Sequence, residues 1–248
     1  MSVENGQASW GNAPMVINPW DEYAIEEALR VKDKLGGSVT VLTMGPESSK
    51  EGLKTAIAMG CDRGILISSE STESYDARAT AIIISRAIAI LDNVELVFFG
   101  KQAIDSDTGL VPMSVSYALD WTGFSYVSEI SEIDVDTSNI NVIRLLEEGR
   151  QHCTGKLPAV ISVVKEINEP RYPSFVGIRK ASKAEIQVLR LDDLELDDEH
   201  ISKENGCLTW SEIQEISRKT TSAELFEGSN MASIAELLVD KLIEEKVI

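Results

Sequence analysis

Apolar positions in the first half of the chain alternate between helical spacing and short continuous runs. Asn18-Pro19 predicts a helix start, with Asn as N-cap and Pro at the first helical position. Asp21 and Glu22 then fall in the first turn, where the helix dipole favours anions. Ala24, Ile25, Ala28, Leu29 and Val31 give this helix an apolar face, and Gly36-Gly37 ends it. Residues 38–44 read as a buried strand turned by Gly45-Pro46. Ser48 with Glu51 predicts a capping box for a second helix bearing Leu53, Ala56, Ile57 and Met59 and closing at Gly60. A strand over 64–68, an Ala- and Ile-rich helix over 77–91, a continuously apolar strand over 94–100 and a helix over 111–119 continue the rhythm. Such alternation predicts an α/β fold, a three-layer Rossmann-like, mostly parallel sheet covered on both faces. The right-handed crossover rule puts its strand-to-helix loops on one edge. The loops expected there are 44–46, the segment after 64–68, and 101–109.

From Phe124 the spacing shortens to two. Residues 126–135, 140–146 and 157–164 read as antiparallel strands at the edge of the same sheet. The acidic run 192–199 reads as a solvated connection. Beyond it come a short helix at 211–216 and an amphipathic helix at 233–245, whose Ile234, Leu237, Leu238, Leu242 and Ile243 need a surface to cover them. The expected organisation is a nucleotide-binding α/β domain over 1–190 and, over 191–248, an acidic linker with a C-terminal helical arm docking on a partner subunit. Residues 1–15 contain no buried apolar strand. Glu4-Asn-Gly-Gln and Trp10-Gly-Asn read as turns, so the sheet is expected to lack its first strand.

Composition narrows the function. A hydrophobic content of 43% supports a sizeable core, and no run of eighteen apolar residues predicts a membrane span. Without a basic, apolar N-terminal leader the chain is expected to be cytoplasmic. Acidic residues outnumber basic ones 41 to 23, a net charge of −18 that repels nucleic acid and anionic lipid. Cys61, Cys153 and Cys207 form no CxxC pair and fit a reducing compartment. His152 and His200 read as surface or satisfied core residues, giving no metal site.

The loop 101–109 is the main candidate for chemistry. It leaves a buried strand and enters a helix with Thr108 and Gly109 at its mouth, where backbone N–H groups can hold a phosphate. The plainer alternative is an ordinary capped loop with Asp105 or Asp107 as N-cap. GxxxxGK[ST], GxGxxG and pyrophosphatase-type loops are absent, neither histidine sits at a nucleophile elbow, and Glu147-Glu148 lies in a turn between strands. The reading is therefore a carrier or binding subunit without catalytic residues. A second unusual segment, Asn168-Glu-Pro-Arg-Tyr-Pro-Ser-Phe175, carries rigid aromatics of the kind that serve as partner anchors.

Ordered motifs along nearly the whole chain carry a resemblance: Ile17-Asn-Pro-Trp-Asp-Glu, Thr55-Ala-Ile-Ala-Met-Gly-Cys-Asp-Arg63, Gly100-Lys-Gln-Ala-Ile-Asp105, Val142-Ile-Arg-Leu-Leu-Glu-Glu-Gly-Arg-Gln, Leu157-Pro-Ala-Val and Asn168-Glu-Pro-Arg-Tyr172. In these the chain resembles the electron transfer flavoprotein beta subunit, departing at Cys153, where the family has an aliphatic residue. The resemblance implies a heterodimer with an alpha subunit that carries most of the FAD contacts. It also implies AMP within the beta subunit, touched by Asn18, Pro19, Trp20, Asp21, Met44, Asp105, Ser106, Asp107, Thr108, Gly109, Leu110, Val111 and Met113.

The same resemblance implies docking to flavin dehydrogenases of the acyl-CoA dehydrogenase type through Arg171, Tyr172, Pro173, Ser174, Phe175, Val176, Gly177, Ile178, Arg179 and Lys180. Electrons would then pass to an acceptor such as a quinone oxidoreductase, as in fatty acid oxidation. Three departures bear on this. The family's first strand and loop are missing, the anchor is Phe175-Val176 rather than Leu-Pro, and Asp105-Ser-Asp-Thr-Gly is closer to members holding a second FAD in place of AMP and capable of electron bifurcation. A stand-alone adenine-nucleotide-binding enzyme or sensor is the alternative of another class.

Overall fold

The structure is a computed structural model that describes residues 2–4, 7–9, 16–69, 75–196, 201, 223–227 and 230–247. The chain divides into two compact units, one of Met1–Gly11 with Glu212–Ile248 and one of Asn12–Ser211. In chain order the elements are β1 (Ser2–Glu4), β2 (Gln7–Ser9), α1 (Pro19–Leu35), β3 (Thr40–Gly45), α2 (Lys50–Met59), β4 (Arg63–Ser68), α3 (Ala77–Ala89), β5 (Leu96–Gly100), α4 (Val111–Leu119), β6 (Thr122–Asp134), β7 (Asn139–Leu146), β8 (Gly149–Lys156), β9 (Ala159–Val163), α5 (Phe175–Ala181), β10 (Gln187–Arg190) and α6 (Met231–Glu244).

The smaller unit holds β1 and β2, paired antiparallel with Ser2 opposite Ser9, and α6. Glu4 and Gln7, read from sequence as part of a turn, instead end β1 and begin β2 and pair with each other. None of the residues whose burial is described in α6 is buried, and Leu237, Leu238 and Ile243 are exposed. The expected helix at 211–216 and the turn at Trp10 lie outside the described residues.

The larger unit is α/β, but its strands form two sheets rather than one. A three-stranded parallel sheet has the order β10-β4-β3, and a five-stranded mixed sheet the order β5-β9-β6-β7-β8. Helices cover both faces. On one, α3 and Val115 of α4 pack on Ile65, Ile67 and Val160; on the other, α1 and α2 pack over the remaining apolar side chains. Burial tracks strand position. Ile65, Leu66 and Ile67 of β4 and every residue of β9 are buried, because each strand has a neighbour on both sides and helices above and below.

Several expectations are corrected. Residues 157–164 do not form an antiparallel edge strand: β9 lies inside the sheet, parallel to both β5 and β6. Its unbroken Ala-Val-Ile-Ser-Val run is what a strand buried on both faces requires. The edge belongs instead to β8, whose polar, mostly exposed residues give no apolar alternation to read. The short β10 pairs with β4 through a segment with one buried residue, Leu189. At the start of the acidic run, residues 191–194 make a 3-10 turn with Leu194 buried against α3, so that part is not a solvated connection; residues 197–199 lie outside the described residues. A 3-10 turn over Glu47–Ser49 makes Ser49 the residue ahead of α2, so the Ser48/Glu51 capping box does not form.

Candidate functional site

The end of β5 and the start of α1 are joined tightly. The Gly100 amide donates to Asp21 Oδ1 at 2.8 Å. A Cβ at position 100 would lie 2.5 Å from the Trp20 carbonyl carbon, closer than real Cβ contacts, so glycine is required by this approach. Burial pushes the Asp21 carboxyl above its usual range, opposed by the hydrogen bonds from Gly100 and Asn18.

Asn18 does not cap α1 with its side chain. Its Nδ2 donates to the Gln102 carbonyl at 2.9 Å, and its Oδ1 accepts from the Ile104 amide at 3.3 Å. The side chain is therefore committed to the 101–110 loop. Within that loop the Asp107 amide donates to the Ala103 carbonyl at 2.9 Å, and Gln102 Nε2 donates to Asp107 Oδ1. Asp107 and Gly109 adopt positive φ of 55° and 61°, which curls the chain back onto α4.

No side chain caps α4, and Pro112 sits in its first turn. The first-turn amides of Val111 and Met113 are thus oriented for an acceptor from outside the helix. Neither Asp105 nor Asp107 takes the N-cap position, which is Leu110. Lys101 Nζ lies 5.4 Å from the Trp20 ring centroid and 5.4 Å from that of Tyr126, a cation held between two π faces. Tyr126 has φ of 58° at the irregularity where β6 shifts register against β9.

The second candidate segment hangs from the same helix further along. Arg171 donates from Nε to Glu26 Oε2 at 2.8 Å and from Nη2 to Glu26 Oε1 at 3.0 Å, a bidentate pair, and reaches Asp33 Oδ2 at 3.0 Å. Glu26 is 5% exposed. Asn168 Nδ2 donates to the Tyr23 carbonyl and to Glu27 Oε2, both at 3.0 Å. From this anchor the chain runs into α5, capped by Ser174 Oγ accepting from the Gly177 amide at 2.9 Å. Tyr172 and Phe175 are 93% and 94% exposed. Gly177 lets α5 lie against the Ala58 carbonyl of α2, where a Cβ would collide.

Residues 11–194 match the electron transfer flavoprotein domain. The electron transfer flavoprotein subunit beta of Thermoanaerobacterium thermosaccharolyticum is 36% identical over 236 residues, covering 95% of this chain and 88% of that protein. Protein FixA of Azotobacter vinelandii is 34% identical over 242 residues, covering 94% and 85%. The subunit beta of Bacillus subtilis is 34% identical over 198 residues, covering 79% and 76%.

The chain belongs to the electron transfer flavoprotein family, among its beta subunits.

In this family member the structure brings Asn18, Trp20 and Asp21 together with the loop. Asp105, Ser106, Asp107, Thr108 and Leu110 are exposed ahead of α4, Gly109, Val111 and Met113 are half-buried, and Pro112 is buried. Pro19 is exposed in the first turn of α1. Met44, at the end of β3, packs on the α3-side core. Gly100, Lys101, Gln102 and Tyr126 also build this edge. The Gly-Lys step after an apolar strand is visible in sequence, but nothing local reveals that Tyr126, 25 positions later, closes over Lys101. Among the described residues no helix is long and apolar enough to cross a membrane.

Proposed function

We propose that this chain is the nucleotide-holding subunit of a heterodimeric electron carrier, assembled with an alpha subunit whose FAD it faces. The carrying observation is the 101–110 loop, pinned by Asn18 and Asp21 and opening onto the uncapped first turn of α4. The residues fit an adenine nucleotide. First-turn amides suit a phosphate, while the carboxylates of Asp105 and Asp107 are acceptors and suit ribose hydroxyls or an amine. AMP satisfies that donor set; a second FAD in its place is favoured by the two carboxylates of Asp105-Ser-Asp107. A bound flavin supplies the one- and two-electron chemistry, and this chain's residues position and shield.

The segment 171–180 is the docking element for flavin dehydrogenases, with Phe175 presented at the first turn of α5 as an aromatic anchor. The apolar side of α6 is the arm that grips the alpha subunit. Electrons then pass to a downstream acceptor, and the chain itself needs no acid or base.

The test is co-expression with an alpha subunit, followed by chromatography of the released nucleotides. One FAD with one AMP per heterodimer is the expected result. Two FAD would assign the second reading, and a heterodimer retaining no adenine nucleotide in this chain would overturn both.

A further inference from the structure

Tyr126 is held in a backbone conformation that its own packing does not explain. Its φ of 58° lies in the left-handed region, which bulky side chains rarely adopt. The ring is 41% exposed, so burial gives little in return. The conformation belongs to a β-bulge. Phe124 pairs with Ile161 and Val127 with Val163, so β6 takes one more residue than β9 over this step. Bulges re-aim a side chain, and strained backbone persists only where its surroundings over-determine it.

The surroundings here are specific. Arg144 of β7 donates from Nε to the Ser125 carbonyl at 2.8 Å and from Nη2 to Ser125 Oγ at 2.9 Å. Its Nη1 donates to Gln151 Oε1 of β8 at 2.9 Å, which fixes the guanidinium from the far side. The Tyr126 amide donates to Ser162 Oγ at 3.4 Å. Ser162 is 3% exposed and interrupts the apolar run of β9. Polar groups from three strands thus define one aromatic position.

The bulge aims the ring at Lys101. Gly100, Val163 and Val127 are level across β5, β9 and β6. Tyr126 therefore stands at the C-terminal edge of the parallel strands, where ligands of such sheets bind. The Tyr126 and Trp20 rings each hold the Lys101 ammonium at 5.4 Å. A π face fixes a cation without cancelling its charge, as a carboxylate would. Lys101 also borders the mouth of α4, since a Cβ on Gly109 would lie 3.5 Å from the Lys101 carbonyl. In a loop that carries Asp105 and Asp107, a phosphate meets repulsion that a fixed positive charge offsets.

We infer that Lys101 is a phosphate-binding residue of this site and that Tyr126 and Arg144 are its positioning residues. Arg144 holds the bulge, the bulge aims the Tyr126 ring, and that ring with Trp20 sets the ammonium toward the phosphate of an adenine nucleotide. The inference rests on the nucleotide reading of the loop and names the group that tells nucleotide from nucleoside.

Calorimetric titration of the heterodimer, freed of the nucleotide in this chain, with AMP and with adenosine tests it. The parent should prefer AMP. Lys101→Met should weaken AMP about tenfold, as loss of a charge-assisted contact does, and leave adenosine within about twofold. Arg144→Gln and Tyr126→Leu should each weaken AMP about threefold with adenosine again unmoved. Tyr126→Phe keeps the π face and should bind both ligands as the parent does. In the Lys101→Met background Arg144→Gln should cost nothing further, because it acts through the ammonium.

A side chain that only supports the fold would weaken both ligands alike, and that outcome would overturn the inference. So would an unchanged AMP preference in Lys101→Met, or an Arg144→Gln loss that persists in its background. A parent that binds neither ligand would remove the nucleotide reading itself, and this inference with it.

Discussion

The 101–110 loop and the 168–180 segment are both held by α1, and the chemistry of the two anchors is opposite. At the first turn, Asn18 and Asp21 hold the loop through bonds to backbone groups, including an amide brought so close that only glycine fits. Midway along, Glu26, Glu27 and Asp33 hold the other segment through side-chain charges and an amide. Backbone anchoring fixes a loop at several points and leaves it little freedom, which suits a site that must match a small rigid ligand. A charged anchor centres the hold on the Arg171 ion pairs, with Asn168 beside them, and leaves Tyr172 and Phe175 beyond it exposed. The first arrangement should therefore degrade gradually on mutation and the second abruptly.

Arg171→Ala tests the abrupt case and should have the largest effect. It leaves Glu26 nearly enclosed without its bidentate partner, at a cost of about 3 kcal/mol, the low end for a broken buried pair, because the Arg171 side chain is itself 37% exposed. Urea unfolding would measure it. Changing Glu26→Gln in the same chain should recover part of the loss, since no unpaired charge is then left inside. If the single variant unfolds like the parent, the segment is held by Asn168 and α5 packing instead.

Phe175→Ala separates presentation from anchoring. At 94% exposure its loss should change stability by less than about 0.5 kcal/mol, while the proposed docking to a dehydrogenase should weaken by about 2 kcal/mol, roughly 30-fold. A titration of electron-transfer rate against carrier concentration, with unfolding run in parallel, reads both. An unchanged titration would remove Phe175 from the docking surface.

How far these regions could be read in advance depends on whether the signal is local. Helix α1 is legible because Asn18-Pro19 and Gly36-Gly37 punctuate an apolar face, and α4 because Pro112 follows a loop of small residues. The position of Phe175 beyond two prolines is equally visible. What escaped is tertiary. Asn18 has the right residue type for a cap but spends both ends of its amide on residues 102 and 104, more than eighty positions away. Ser48 lost its capping role when the backbone tightened into a 3-10 turn. Strand β8 shows no pattern because an edge strand carrying Arg150, Gln151 and His152 buries almost nothing. The interior place of β9 follows from its partners, which no single strand encodes.

Asp21→Asn probes the gradual case through pH. The Asp21 carboxyl titrates above its ordinary value of 3.8 because burial disfavours its charge. The folded state therefore holds that proton more tightly than the unfolded chain does. The stabilisation associated with the proton is complete below 3.8 and is lost as pH rises from there through the raised folded value. An asparagine oxygen can still accept from Gly100 and carries no charge, so the stability gap between variant and parent should shift in the variant's favour over that interval. A gap that stays flat with pH would mean that Asp21 ionises freely. Asp21→Ala, which strands the Gly100 amide, should cost about 1–2 kcal/mol below pH 3.8, a gap that narrows over the same interval because this variant too lacks the titrating carboxyl.

The smallest effect belongs to Lys101. Its ammonium lies over Trp20 from α1 and Tyr126 from β6, so it ties the start of the loop to two elements, with no carboxylate partner among the described residues. Lys101→Met keeps the length and apolar stem and removes only the charge, so the loss should be about 0.5–1 kcal/mol, the range for a partly exposed cation–π contact. Tyr126→Leu should cost a similar amount, and the double variant less than the sum, because each single change already breaks the shared contact. Full additivity in that cycle would show that Lys101 and Tyr126 act independently. Each side chain would then hold the loop separately beside Asn18 and Asp21, and the contrast with the ion-paired anchor at Arg171 would rest on those backbone bonds.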